Sequence, residues 1–102
     1  MPQSPRPLLY IFLKSPIDRG IKYGVDFNDA VRAYYDPFRQ DIFDEQHSTQ
    51  EEIRWIYLGS VDGLVLFVVE TEPDQNTVRI ISARPALKRE QEVYYANREK
   101  DN

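Results

Sequence analysis

Arg79-Ile80-Ile81-Ser82-Ala83-Arg84 brings two guanidinium groups to a proline, Pro85, within one short apolar stretch. A strand that delivers arginines to the start of a helix can hold planar, forked donors against a phosphate or a carboxylate. Arg54 stands near the start of a second strand-like segment, and His47, the only histidine, lies in the loop before it. Histidine is the one side-chain type that ordinarily titrates near neutrality. Cleaving a phosphodiester needs a base for the 2′-hydroxyl, an acid for the leaving oxygen and cations for the developing charge. His47 with Arg54, Arg79 and Arg84 meets those needs if the fold gathers them. The plainer reading makes each arginine a structural partner of the acidic loop and His47 a surface residue.

Other chemistries are excluded or weaker. The chain has no cysteine, so thiol nucleophiles, disulfides and cysteine zinc sites are impossible. With one histidine as well, no transition-metal site and no cofactor are expected. His47 and Ser48 beside acidic residues evoke a serine hydrolase, but neighbouring loop positions do not make a triad and no G-x-S-x-G is present. Asp44/Glu45 and Glu51/Glu52 are carboxylate pairs that Mg²⁺ could use, yet a solvated loop is the expectation. Trp55 and Tyr57 alternate on a strand, which fits a core more readily than a stacking platform for RNA bases.

The elements that must position these residues are readable from pattern. Residues 1–7 hold three prolines and are expected to form a disordered tail, with residues 8–99 as one domain and 100–102 as a second tail. Leu8–Leu13 is a possible edge strand, too short for a membrane span or a signal-peptide core, so no membrane partner and a cytoplasmic location are expected. Asp26 and Asp29 form a shortened capping box. Phe27, Ala30, Val31 and Tyr34 then follow at helical spacing, and Pro37 stops that helix near Asp36. A weaker strand is expected at Phe38–Phe43, then strands at Ile53–Leu58, Leu64–Val69 and Thr77–Ala83. Asp62-Gly63 turns the first hairpin and Glu72-Pro73-Asp74 the second. Leu64–Val69 is apolar on both faces and reads as a central strand. Pro85 is expected in the first turn of a terminal helix. The fold class is therefore α+β: a small antiparallel sheet of three to four strands, plus the possible N-terminal edge strand, packed against helices.

Strict alternation places Arg79, Ile81 and Ala83 on one face and Arg84 on the other. The two arginines can share a site only if Arg84 has left the strand, which Pro85 leads one to expect. Net charge is −4, which argues against loose electrostatic binding of nucleic acid. The charges are segregated, however, with acids crowded from Asp36 to Glu52 and bases from Arg79 to Arg89.

Read in order, Gly24-Val25-x-Phe27, Asp36-Pro37, His47-Ser48, Glu52-x-Arg54, Gly59 and the complete Arg79–Arg84 strand resemble the BrnT family, toxins of bacterial type II toxin–antitoxin pairs. The terminal helix keeps Glu90 and Tyr94 of the family's E-R-x-x-Y, with Gln91 at the arginine position. The N-terminus diverges. Phe12-Leu13-Lys14-Ser15 stands where the family has Trp-Asp, Pro16 and Gly20 interrupt the helix that follows, and Lys22-Tyr23-Gly24 replaces K-H-G. The resemblance implies a RelE-like fold that cleaves RNA without metal and blocks translation. It also implies neutralisation by a BrnA-like ribbon-helix-helix antitoxin, through which alone DNA would be contacted. Arg54, Arg79 and Arg84 would then bind the scissile phosphate, with His47, or less directly Tyr94, moving protons. Lys22, Lys88 and Arg89 would hold flanking RNA phosphates. The alternatives are a catalytically inactive domain that only binds an antitoxin, and a non-catalytic RNA-binding domain.

Overall fold

The computed structural model describes residues 25–74 and 77–100. The expected N-terminal tail, the Leu8–Leu13 strand and Lys22 lie outside the described residues. Helix α1 spans Phe27–Tyr34. Asp26 caps it through its carboxylate, which accepts the Asp29 N–H at 2.9 Å, while the Asp29 carboxylate accepts the Asp26 N–H at 3.3 Å. This is the reciprocal box that the sequence predicts. The chain then runs through strands β1 (Gln40–Phe43), β2 (Arg54–Val61), β3 (Leu64–Asp74) and β4 (Thr77–Pro85) into helix α2 (Lys88–Lys100). The strands form one antiparallel sheet in the order β1-β2-β3-β4. The fold is α+β, as expected.

The double apolar character of β3 follows from its place. Tyr57, Leu66, Val68, Val78, Ile80 and Ala83 pack with Ala30, Ala33 and Tyr34 of α1 on one face of the sheet. Leu58 and Val65 pack with Ala86 and Tyr94 on the other, under α2. A central strand covered on both sides has no polar face to show. Helix α1 lies against β2 so closely that a Cβ on Gly59 would come within 2.4 Å of the Ala33 carbonyl oxygen. The Tyr57 hydroxyl fixes the same contact by donating to the Ala30 carbonyl at 2.8 Å.

Asp36, just past α1, holds three elements together. Its Oδ1 accepts the Phe38 N–H at 2.9 Å. Its Oδ2 accepts the Ser60 N–H of β2 at 2.8 Å and also the hydroxyl of Tyr94 from α2. β1 reaches only as far as the Gln40–Leu58 pair, so Asp36 supplies the acceptor that β1 does not offer Ser60.

Four local expectations change. β2 begins at Arg54, and Ile53 is exposed before it. Glu72-Pro73-Asp74 is not the turn: β3 continues through it and Asp74 pairs with Thr77. Pro85 ends β4 rather than opening α2: it still stands opposite Leu66, the next N–H, of Ala86, donates to the Val65 carbonyl, and the helix waits for Lys88. The helix also runs to Lys100, one residue into the expected tail.

Glu70 is an acid in the α1-side core. It follows Leu66 and Val68 on their face of β3 and is 2% exposed. Burial first, then the neighbouring carboxyl of Glu72, pushes its pKa up to about 9. A raised folded-state value means stability that is complete below the ordinary carboxylate range and lost as pH rises toward 9. Glu70→Gln should therefore raise the melting temperature more at pH 8.5 than at pH 5, and flatten the stability profile across that window. Thermal melts at the two pH values check this; equal shifts would show that Glu70 does not titrate as its burial requires. Gly59→Ala should cost about 1–3 kcal/mol by forcing α1 away from the sheet, read as a lower urea midpoint at unchanged slope.

Candidate active site

Three cross-strand rows on the α2 face define the site. Arg54, Thr71 and Arg79 form one row, Ile56, Val69 and Ser82 the next, and Leu58, Phe67 and Arg84 the third. Direct pairs share a face of the sheet, so Arg79 and Arg84 stand on the same side. The expected cause, departure of Arg84 from the strand, is not the actual one: Arg84 remains in β4 opposite Phe67. Instead the pairing shifts between Val69–Ser82 and Glu70–Ile80, leaving Ile81 as an extra residue. One inserted residue reverses the alternation downstream. Val78 and Ile80 before the bulge and Ala83 after it therefore share the α1-side core.

Helix α2 covers the third row and leaves the second open. The opening is a cleft of about 460 Å³ lined by His47, Arg54, Ile56, Phe67, Ser82, Arg84, Arg89 and their neighbours. Thus the structure gathers His47, Arg54, Arg84 and Arg89. Arg79 lies on the same face, beside Thr71 at the end of the first row, and is not among the lining residues. Lys88 is exposed on the first turn of α2 outside the cleft.

The acidic loop is exposed over most of its length, as expected, with only Asp44 buried, yet its backbone is tied internally. Ser48 Oγ donates to the Asp44 carbonyl at 2.6 Å and accepts the Arg54 N–H at 2.9 Å. Thr49 Oγ1 accepts the Glu52 N–H at 3.0 Å. These short polar side chains do for the loop what a ladder does for a strand. Asp44 is 9% exposed and holds His47 Nδ1 at 3.0 Å, while the His47 side chain is 63% exposed. A carboxylate on Nδ1 places the proton there and leaves Nε2 with the lone pair. Sequence reasoning missed Asp44; the Asp-x-x-His spacing, one turn apart, was the available signal.

Both cleft-lining strand arginines are paired. Arg54 Nε lies 2.9 Å from Glu52 Oε1, which leaves its two Nη groups without a partner among the described residues. Arg84 makes a forked pair with Glu90 at 2.8 and 2.9 Å and stacks 3.9 Å from the Phe67 ring centroid. Glu90 also accepts the Leu87 N–H at 2.7 Å, capping α2. Arg84 above all, aided by that N–H, holds the Glu90 carboxyl below its ordinary range against the effect of burial. Gln91 donates from its side chain to the Ala86 carbonyl at 3.1 Å, fastening the turn from β4 into α2.

Tyr94 is not in the cleft. It is fully buried, its hydroxyl donates to Asp36, and burial first and Asp36 second push its pKa up to about 12. A phenol so placed does not line the cleft and does not give up its proton near neutrality. Tyr57 is equally buried, whereas half-buried Trp55 packs edge-on against exposed Phe43 at 5.5 Å. Among the described residues no three histidine or acidic side chains converge on a metal position. No described helix is long and apolar enough to cross a membrane.

A family model described as "Ribonuclease toxin, BrnT, of type II toxin-antitoxin system" matches residues 20–90. That span is well over half of the 102 residues and contains His47, Arg54, Arg79, Arg84 and Arg89. A search of curated protein sequences found no match. The four-stranded sheet, the bulged arginine strand and the cationic cleft all fall within the matched residues, and the chain belongs to the BrnT family of ribonuclease toxins of type II toxin–antitoxin systems.

Proposed function

We propose that the chain is an endoribonuclease that cleaves RNA without a metal ion, inhibits translation in the cytoplasm, and is neutralised by a BrnA-like ribbon-helix-helix antitoxin. The observation that carries this reading is the Asp44–His47 pair sharing one open cleft with Arg54 and Arg84. His47 Nε2 takes the proton of the 2′-hydroxyl, and the 2′-oxygen attacks phosphorus. A 2′,3′-cyclic phosphate forms and the 5′-oxygen leaves, taking a proton from solvent in the open cleft. Arg54, through its Nη groups, and Arg84 stabilise the charge that builds on the phosphoryl oxygens. Arg89 lines the rim and, with Lys88 and Lys22, holds flanking phosphates. Arg79, one strand pair from Arg54 across Thr71, extends the cationic row along the RNA.

A second reading has a specific observation behind it. Glu52 and Glu90 already occupy the cleft arginines, as expected of a domain that binds an antitoxin without cleaving RNA. Cleavage decides between them.

The assay is cleavage of a translated messenger by purified protein free of antitoxin, with EDTA present. The wild type should cleave at an undiminished rate in EDTA. His47→Ala should slow cleavage by about a hundred- to ten-thousandfold, and Asp44→Asn should slow it in the same direction by releasing the Nδ1 proton. Arg54→Ala should cost about a hundred- to a thousandfold in rate with the fold intact, and Arg79→Ala should weaken RNA binding more than it slows the bound complex. Tyr94→Phe should cleave at nearly the wild-type rate while losing about 1–3 kcal/mol of stability. Full activity in both His47→Ala and Arg54→Ala would end the assignment of the cleft. An inert wild type that binds its antitoxin tightly would establish the second reading.

A further inference from the structure

The opposite face of the sheet carries a second recess that the ribonuclease reading does not use. Trp55 follows Arg54 in β2 and so faces the α1 side. It lines, with Arg39, Asp41, Glu70 and Glu72, a recess of about 230 Å³. Glu70 is its floor. Its Oε2 has no hydrogen-bond partner among the described residues, and the side chain with which the carboxyl shares a proton is another acid, Glu72. A buried carboxyl with no donor is costly unless something else satisfies it.

We propose that this recess is a binding site for an organic cation, an ammonium or guanidinium group. Among the described residues three carboxyls and one arginine line it, and Arg39 is already committed. Its Nε lies 2.8 Å from Asp41, an Nη group donates to the Tyr34 carbonyl, and its guanidinium stacks 4.3 Å from the Tyr34 ring centroid. Glu70 and Glu72 are left beside each other with no ion pair to either among the described residues. An incoming ammonium or guanidinium would supply the missing donors to Glu70, and Trp55, the aromatic ring best suited to cations, lines the same recess. Metal ions fit less well, because the described acids here do not converge on a metal position.

Charged and titratable groups around Glu70 are Glu72 on its own strand, Arg39 and Asp41 beside β1, and Tyr57 on β2. Ile80 opposite it on β4 is apolar. In the empty recess Glu70 keeps its proton; binding a cation expels it, so affinity should rise with pH as one proton is released.

Trp55 is the only tryptophan, so its fluorescence reports the site directly. The probes are N-acetylarginine amide, standing for a partner protein's side chain, and spermidine, standing for a free polyamine. N-acetylglutamine amide is the neutral control, and all titrations run at constant ionic strength. A saturable change with one or both cations and none with the control is expected, the stronger probe naming the source. Affinity should rise about tenfold per pH unit between roughly pH 6 and 8, and Glu70→Gln should remove that slope. Should that variant not fold, Glu72→Gln, altered at the exposed edge of the recess, should weaken binding about tenfold at pH 8. No saturable change with either cation, an equal response to the neutral amide, or an unaltered pH slope in Glu70→Gln would overturn the proposal.

Discussion

One carboxylate, Asp36, fixes how the two helices sit on the sheet. It ends α1, receives the N–H of Phe38 on the way into β1, closes the outer edge of β2 at Ser60 and holds Tyr94 of α2. The position of α2 determines the cleft, since Glu90 and Arg89 form one of its walls. A half-buried acid satisfied by three donors is well supported, but each donor depends on the others for its geometry. Losing any of them leaves a carboxylate partly unpaired, which costs more than the bond itself contributed. The cleft therefore depends on a residue that does not line it.

Asp36-Pro37 was legible only as a helix stop. Pro37 explains the end of α1, but nothing local to the dipeptide says that the carboxylate would bridge to Ser60 and Tyr94, far along the chain. Periodicity gave the capping box of α1, the central place of β3 and the Asp62-Gly63 hairpin, because each is a local pattern. It misplaced Glu72-Pro73-Asp74, where proline and two acids have the composition of a turn but lie within β3, across a shift in pairing, with Asp74 opposite Thr77.

The arginine strand shows a different limit. Alternation separates Arg79 from Arg84, and Pro85 offers the wrong remedy. The bulge at Ile81 is invisible in R-I-I-S-A-R, because isoleucine and serine are equally at home on either face of a strand end. Its effect is large: without it, either Arg84 or Arg79 would have to enter the apolar layer beneath α1. The burial of Ile80 and Ala83 on one side and the arginines on the other is thus a single decision made by one extra residue.

The paired state of the arginines bears on how such a cleft can work. Arg84 shares Glu90 with the first turn of α2, so displacing Glu90 would also uncap the helix. Arg84 is thereby held rigidly, stacked on Phe67, and offers an anion its fixed field more than its free donors. Arg54 differs, since among the described residues only its Nε is bound, to Glu52, and in the proposed reaction its two Nη groups take the phosphate. A cleft with one anchored and one available guanidinium needs little rearrangement when substrate arrives, which is what stabilising a transition state requires. His47 completes this division. Asp44 fixes its Nδ1 in a loop tied down by Ser48 and Thr49, so the exposed end of the ring is the part left to move a proton.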